Sequence, residues 1–149
     1  MIRTTSEDQD FRNLVQLLDQ DLAIRDGDEH SFYAQYNKID SLKNVVVYYN
    51  NQIPVGCGAF KEFDRDSVEI KRMYVLPDFR GHRIGAAILN ELEKWAAELN
   101  YAKCVLETGK RNPEALHLYK KEGYLVTPNF GQYKKRENSV CMEKSIKKS

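Results

Sequence analysis

No run of residues in this chain stays apolar for the roughly 18–20 positions that a membrane-crossing helix needs. The opening stretch, MIRTTSEDQD, lacks the apolar core of a secretory signal. The expected setting is therefore the cytoplasm, with no membrane partner. An excess of one charge is missing too: 23 Lys and Arg face 22 Asp and Glu, and the formal net charge is +1. So balanced a surface makes nucleic acid an unexpected partner, and no recognition-helix pattern appears. Lys144, Lys147 and Lys148 near the C-terminus read as a solvated end. Cysteine is scarce and odd in number, with Cys57, Cys104 and Cys141 each inside an apolar, strand-like run. Without CxxC or HxxxH spacing, neither a disulfide framework nor a metal centre is expected, but buried thiols in a reducing compartment. Repeats, low-complexity tracts and linkers are also lacking, so residues 1–149 read as one domain, long enough to bury about 70% of its unfolded surface.

What is present is a change of apolar period along the chain. Residues 2–5 read as a short strand, and Ser6 with Gln9 as a capping box for a helix carrying Phe11, Leu14, Val15, Leu18 and Leu22 at helical spacing. Arg25 to His30, with Gly27, reads as a charged break, and Phe32, Tyr33 and Tyr36 as a short second helix. Val45–Tyr49, Val55–Phe63 and Val68–Leu76 form a predicted strand meander turned at Asn50-Asn51 and at Asp64–Asp66. Gly56-x-Gly58 lacks a third glycine and a following helix, which makes close strand packing the better account than a dinucleotide loop. Ile84, Ile88, Leu92, Trp95 and Leu99 mark a long amphipathic helix. A strand over Cys104–Thr108 follows, then a helix opened by Asn112-Pro113-Glu114 and closed near Gly123. Weak strands around Tyr124–Thr127 and Ser139–Lys144 complete an α+β layout, a mostly antiparallel central sheet flanked by helices.

The stretch Val75-Leu-Pro-Asp-Phe-Arg-Gly-His-Arg-Ile-Gly85 runs from a strand into the long helix. A helix N-terminus carries unpaired N–H groups and partial positive charge. Glycines at 81 and 85 allow close backbone approach, and Arg80, His82 and Arg83 add donors, so this is a cradle for a diphosphate. No Lys-Ser/Thr pair closes it as a Walker loop. The stretch resembles the pyrophosphate loop of the GNAT superfamily of N-acetyltransferases, Arg/Gln-x-x-Gly-x-Gly/Ala, through Arg80, Ile84 and Gly85, with Arg83 standing where the family usually has glycine. Asn112, Ala115, Leu118-Tyr119 and Gly123-Tyr124 resemble the superfamily's last helix, and Glu69-Ile-Lys-Arg-Met-Tyr-Val75 the strand leading into the loop. The resemblance covers roughly residues 44–127.

It implies a GNAT-like fold and acetyl-CoA as co-substrate, held by Met73, Tyr74, Val75, Arg80, Gly81, His82, Arg83, Ile84, Gly85, Ala86, Asn112 and Tyr119. It also implies that the strand at 68–75 splays from the strand at 103–108, and that the Val75 amide polarises the thioester carbonyl. Tyr119 is the candidate general acid for a departing thiolate, or else a core tyrosine. Glu69 and Glu107 are candidate bases acting through water; either can instead pair with Lys71 or Arg72, and Glu107 can hold a substrate ammonium. Tyr33, Asn37 and Tyr133 are candidate acceptor contacts, alongside the polar group Asp28-Glu29-His30. His117 reads as a surface residue, and His82 as serving the loop through its backbone. The expected activity is acetyl transfer to the primary amine of a small, uncharged or cationic molecule, with an N-terminal amine or a protein lysine as the alternative acceptor; the competing reading is an inactive acyl-CoA-binding module. The sequence admits a homodimer without specifying one.

Overall fold

The computed structural model of the protein describes residues 1–27 and 41–146. Strands form where β-branched and apolar residues alternate. They are β1 (Ile2–Thr4), β2 (Asn44–Asn50), β3 (Ile53–Asp64), β4 (Ser67–Val75), β5 (Lys103–Gly109), β6 (Leu125–Thr127) and β7 (Ser139–Ser145). The helices are α1 (Gln9–Asp26), α2 (Ile84–Glu98) and α3 (Pro113–Lys121). Among the described residues the strands make one seven-stranded sheet in the order β1-β2-β3-β4-β5-β7-β6, antiparallel throughout except where β4 meets β5.

Successive strand residues point to opposite faces, and β2 shows the result. Val46 joins the core under α2 and α3, with Ile88, Leu92 and Tyr124, while Val45 and Val47 join the core under α1, with Phe11, Leu14 and Val15. Gly56 and Gly58 sit where α2 crosses β3. A Cβ at Gly58 would stand 2.5 Å from the Met73 sulfur and 2.9 Å from Ile88 and Leu92 side-chain carbons, so close packing is what these glycines provide.

Several sequence expectations shift by a residue or a turn. The N-cap of α1 is Asp8, whose side chain accepts from the Phe11 N–H; the Ser6 hydroxyl instead accepts from the Leu42 N–H at 3.0 Å. Arg25 does not begin a break: α1 continues through it to Asp26 and stops at Gly27, where φ is 56°. The buried face of α2 runs through Leu89 and Ala96 and leaves Leu99 exposed. The second helix expected around Phe32–Tyr36 lies outside the described residues.

Two irregularities in β4 shape the site. Its register with β3 shifts between Cys57 and Ala59, so Arg72 and Met73 together oppose Gly58, and Arg72 takes a left-handed φ of 61°. Its parallel pairing with β5 holds only for Ser67, Val68 and Glu69, after which the two strands part.

Candidate active site

The parting of β4 from β5 opens the sheet, and Val75 lies at its end. Leu76 N–H donates to the Val55 carbonyl at 2.8 Å, which makes Val55 and Leu76 a hydrogen-bonded pair. Val75, opposite Gly56, takes the alternate position, so its N–H and C=O turn away from β3 and toward the opening. The Val75 carbonyl accepts from Arg80 Nε at 2.8 Å, and the Arg80 guanidinium lies 5.5 Å from the Tyr74 ring centre. Arg80 thus ties the start of the loop back to the strand.

After a 3-10 turn at Pro77–Phe79 the chain enters α2 through Arg83, which is left-handed (φ 64°, ψ 19°) and places no side-chain cap on the helix. The first helical bond runs from the Ala87 N–H to the Arg83 carbonyl. The amides of Ile84, Gly85 and Ala86 precede it and have no partner in the helix. All three residues line a cavity of about 480 Å³ between α2 and α3, together with Arg80, Gly81 and Arg83. Gly81 has φ +83° with open space where a Cβ would point, while a Cβ on Gly85 would meet the Leu118 side chain at 3.2 Å. Uncapped amides, two arginines and a glycine-kept approach suit a diphosphate at this helix end.

A smaller cavity of about 120 Å³ lies between α1 and the turn at Gly131–Tyr133. Its walls carry charge: Glu69, Lys71, Arg72 and Glu107 from the strands, Arg25 from α1 and Arg111 from the loop before α3. Lys71 Nζ stands 3.8 Å from Glu69, both largely buried, and burial pulls the lysine below its ordinary value. Arg25 bonds Asp21, Glu114 and the Arg111 carbonyl, and Arg111 returns a bond to the Arg25 carbonyl at 3.3 Å. Met73, Asn112, Ala115 and Tyr119 line both cavities, so the two meet there.

Tyr119 is buried on α3, which Asn112 starts by accepting the Ala115 N–H. Burial, and then the charge of Glu107, push its phenol well above the ordinary value, so it stays protonated across the neutral range. Tyr133 is buried beside Phe130 and Cys141 and faces the smaller cavity.

The residues expected at the cofactor gather around the larger cavity, His82 excepted: its exposed side chain is not among the lining groups. His117, exposed as expected, stands at the rim of that cavity. Glu69 and Glu107 meet in the smaller cavity. Tyr33, Asn37 and the Asp28–His30 group lie outside the described residues. Arg72 pairs not with either glutamate but with Asp19 of α1, at 2.7 Å. The inward roles of Arg25, Arg111 and Asn138 have no motif to reveal them. Among the described residues no group of three or more His, Cys, Asp or Glu gathers as a metal site, and no helix is long and apolar enough to cross a membrane.

Comparison with known proteins points the same way. The model of the acetyltransferase (GNAT) family matches residues 11–124. A protein named IAA acetyltransferase from Azospirillum brasilense is 36% identical over 93 residues, covering 62% of this chain and 61% of that one; the match thus spans less than two thirds of the relative. A Klebsiella pneumoniae protein assigned as an acyl-CoA N-acyltransferase superposes with a TM-score of 0.80 at 28% identity, over 97% of this chain and 95% of its own. The PaiA N-acetyltransferase of Thermoplasma acidophilum, solved with coenzyme A, reaches a TM-score of 0.67 at 18% identity over 92% and 93% of the two chains, a likeness of fold.

Proposed function

This chain belongs to the GNAT family of acetyltransferases, and on that premise we propose that it moves an acetyl group from acetyl-CoA to the primary amine of a small acceptor. The observation that carries the reading is the opening between β4 and β5, which joins the α2–α3 cavity to the charged cavity at Met73 and Tyr119. Acetyl-CoA, when bound, supplies an acetyl thioester. The amides of Ile84, Gly85 and Ala86, with Arg80 and Arg83, hold its diphosphate. The Val75 N–H, turned into the opening, donates to the carbonyl oxygen as negative charge develops there. Glu69 or Glu107 accepts the proton that the amine must shed before its nitrogen can attack. Tyr119 donates a hydrogen bond to the sulfur as the C–N bond forms and the C–S bond breaks, and the second proton shed by the nitrogen neutralises the departing thiolate. A thiol's ordinary pKa of about 8.5 lies well below that of the raised phenol, so Tyr119 steadies the leaving sulfur more by hydrogen bonding than by outright proton transfer. A cavity of about 120 Å³, where one water needs about 10–15 Å³, suits an acceptor of several heavy atoms.

The direct test is release of CoA thiol by the full chain from acetyl-CoA, across a panel of primary amines, with the products weighed by mass spectrometry. Amine-dependent release and a singly acetylated product are expected. Acetyl-CoA binding in a calorimetric titration without turnover of any amine would return the chain to the binding-module reading.

A further inference from the structure

One side chain at the smaller cavity is not accounted for by the chemistry above. Arg72 lines that cavity with its side chain 2% exposed. Its Nη1 donates to Asp19 Oδ1 at 2.7 Å, and Asp19 itself stands half in solvent. Its Nη2 is the one buried side-chain nitrogen or oxygen among the described residues with no hydrogen-bond partner. A guanidinium presents a planar fork suited to two parallel bonds with one carboxylate, and here the fork is half used. An unmade bond at a buried charged group is costly enough to call for an explanation. The same residue also holds the left-handed φ of 61° at the bulge, next to the point where β4 leaves β5. Two local costs thus fall on one residue at the site, the pattern expected where geometry serves a ligand.

The neighbouring charges sharpen the point. Arg25 is engaged by Asp21 and Glu114, Arg111 donates to the Arg25 carbonyl, and Lys71 stands beside Glu69. Arg72 therefore brings the cationic donor still to be satisfied, covered at the wall of the cavity that Glu69 and Glu107 also line. A ligand that meets both carries an ammonium and a carboxylate.

We propose that the acceptor is an amino carboxylate, its amine directed to Glu69 and Glu107 and its carboxylate received by Arg72. The inference rests on the transferase reading and narrows its substrate class: a zwitterion remains net uncharged, whereas a plain alkylamine or polyamine would bring positive charge against Arg72. Binding to the Arg72 fork requires the carboxylate to replace or share Asp19, because Nη2 is covered when nothing is bound.

Matched acceptors test this: an amino acid, its amide, and the amine lacking the carboxyl group, each compared by kcat/KM and by calorimetric titration of the full chain in the presence of CoA. The acid is expected to be preferred over its amide on the order of ten- to a hundredfold, the range of a charge-assisted pair. Arg72→Gln should erase most of that preference, the loss falling on the acid and not on the amide. Arg72→Lys, which keeps the charge without the fork, should keep part of it. Asp19→Asn removes the competing charge and weakens, without abolishing, the hold on Nη1; it leaves the bulge untouched and should lower KM for the acid, so the proposal stays open to refutation if Arg72 variants fail to fold. Equal use of acid, amide and amine, with Asp19→Asn silent, would overturn it. If no amine is turned over, the transferase reading falls and the titrations alone decide: acid binding no tighter than amide binding overturns this proposal as well.

Discussion

On the α2–α3 side of the opening, the anchor expected for the diphosphate is mainly main chain: the uncapped amides of Ile84, Gly85 and Ala86, the Val75 N–H beyond them, and a loop kept open at Gly81. On the α1 side, the smaller cavity is made by side chains brought from α1, β4, β5 and two loops. The difference has a physical consequence. Backbone donors are supplied by any residue that permits the conformation, so the first site tolerates substitution as long as φ and ψ survive. Charged side chains in a small buried space are specific to their partners, and each one changed alters what the second site accepts.

The largest expected effect lies where the two sides meet. Tyr119→Phe removes one hydroxyl and leaves the ring in the core. A hydrogen-bond donor aimed at charge that develops in the transition state is worth on the order of 10²–10³-fold, so kcat should fall by that range while acetyl-CoA affinity in a calorimetric titration stays put. The deficit should shrink for a thioester of a more acidic thiol, whose sulfur needs less help. Wild-type turnover in the variant would make Tyr119 a packing residue, and the junction would belong to the backbone side alone.

Next in size is a change that narrows the backbone side. Gly85→Leu puts a side chain where a Cβ already meets Leu118 at 3.2 Å, pressing α3 away from the start of α2. One charge-assisted hydrogen bond bent out of line costs about 1.5–3 kcal/mol, so acetyl-CoA should bind at least about tenfold more weakly. Leucine is the better helix former, which offsets part of the packing cost against Leu118, so thermal stability should fall only modestly. Undiminished affinity would show that the amides of this turn are not the anchor.

The two sides also differ in how legible they are in the sequence. The cradle can be read there because its signal is local: a strand, a proline, two glycines and an amphipathic helix follow one another within a few residues. The helix start at Asn112 is equally local, and Asn112 does cap α3. Arg72 cannot be read that way, since its meaning depends on a bulge opposite Gly58 and on Asp19, 53 residues away. The α1 cap is misread for a related reason. Ser6 and Asp8 are both competent caps, and Leu42 decides between them, because its N–H takes the Ser6 hydroxyl across the fold. Tyr124 and Glu93 read as ordinary strand and helix residues and Lys144 as part of a solvated end, yet tertiary packing joins the three in a largely buried hydrogen-bonded group at 2.8 and 2.9 Å.

A smaller effect asks whether both faces of the sheet are equally dry. Cys104 lies in the core under α2, Cys57 in the core under α1, and Cys141 beside Tyr133. Burial pushes Cys57 and Cys104 up to about 12 and Cys141 up to about 11. A thiol whose pKa is raised by folding stabilises the protein below its unfolded value and loses that contribution as pH climbs through the folded one. Stability in urea should therefore decline from about pH 9 upward, by about 1.4 kcal/mol per pH unit for each thiol involved. Cys57→Ala and Cys104→Ala should each flatten the slope by a similar amount. If only one does so, the core around the other thiol admits water.

The smallest effect tests the comparison most closely, because it exchanges a side chain for main-chain freedom within the cradle. Arg83 occupies the left-handed position at the start of α2, where the resemblance leads one to expect glycine. A left-handed residue other than glycine costs about 1–2 kcal/mol, while glycine gives back about 0.4–1 kcal/mol through its freer unfolded chain. Arg83→Gly should therefore raise stability by up to about 1.6 kcal/mol, seen as a higher urea midpoint at unchanged slope. It also removes a cation from the cavity wall, so acetyl-CoA should bind only a few-fold more weakly, and that loss should fade as ionic strength rises. A collapse in affinity that persists at high salt would mean that Arg83 holds the diphosphate by direct bonds. The cradle would then be built from side chains as much as the acceptor cavity is, and the contrast between the two sides would disappear.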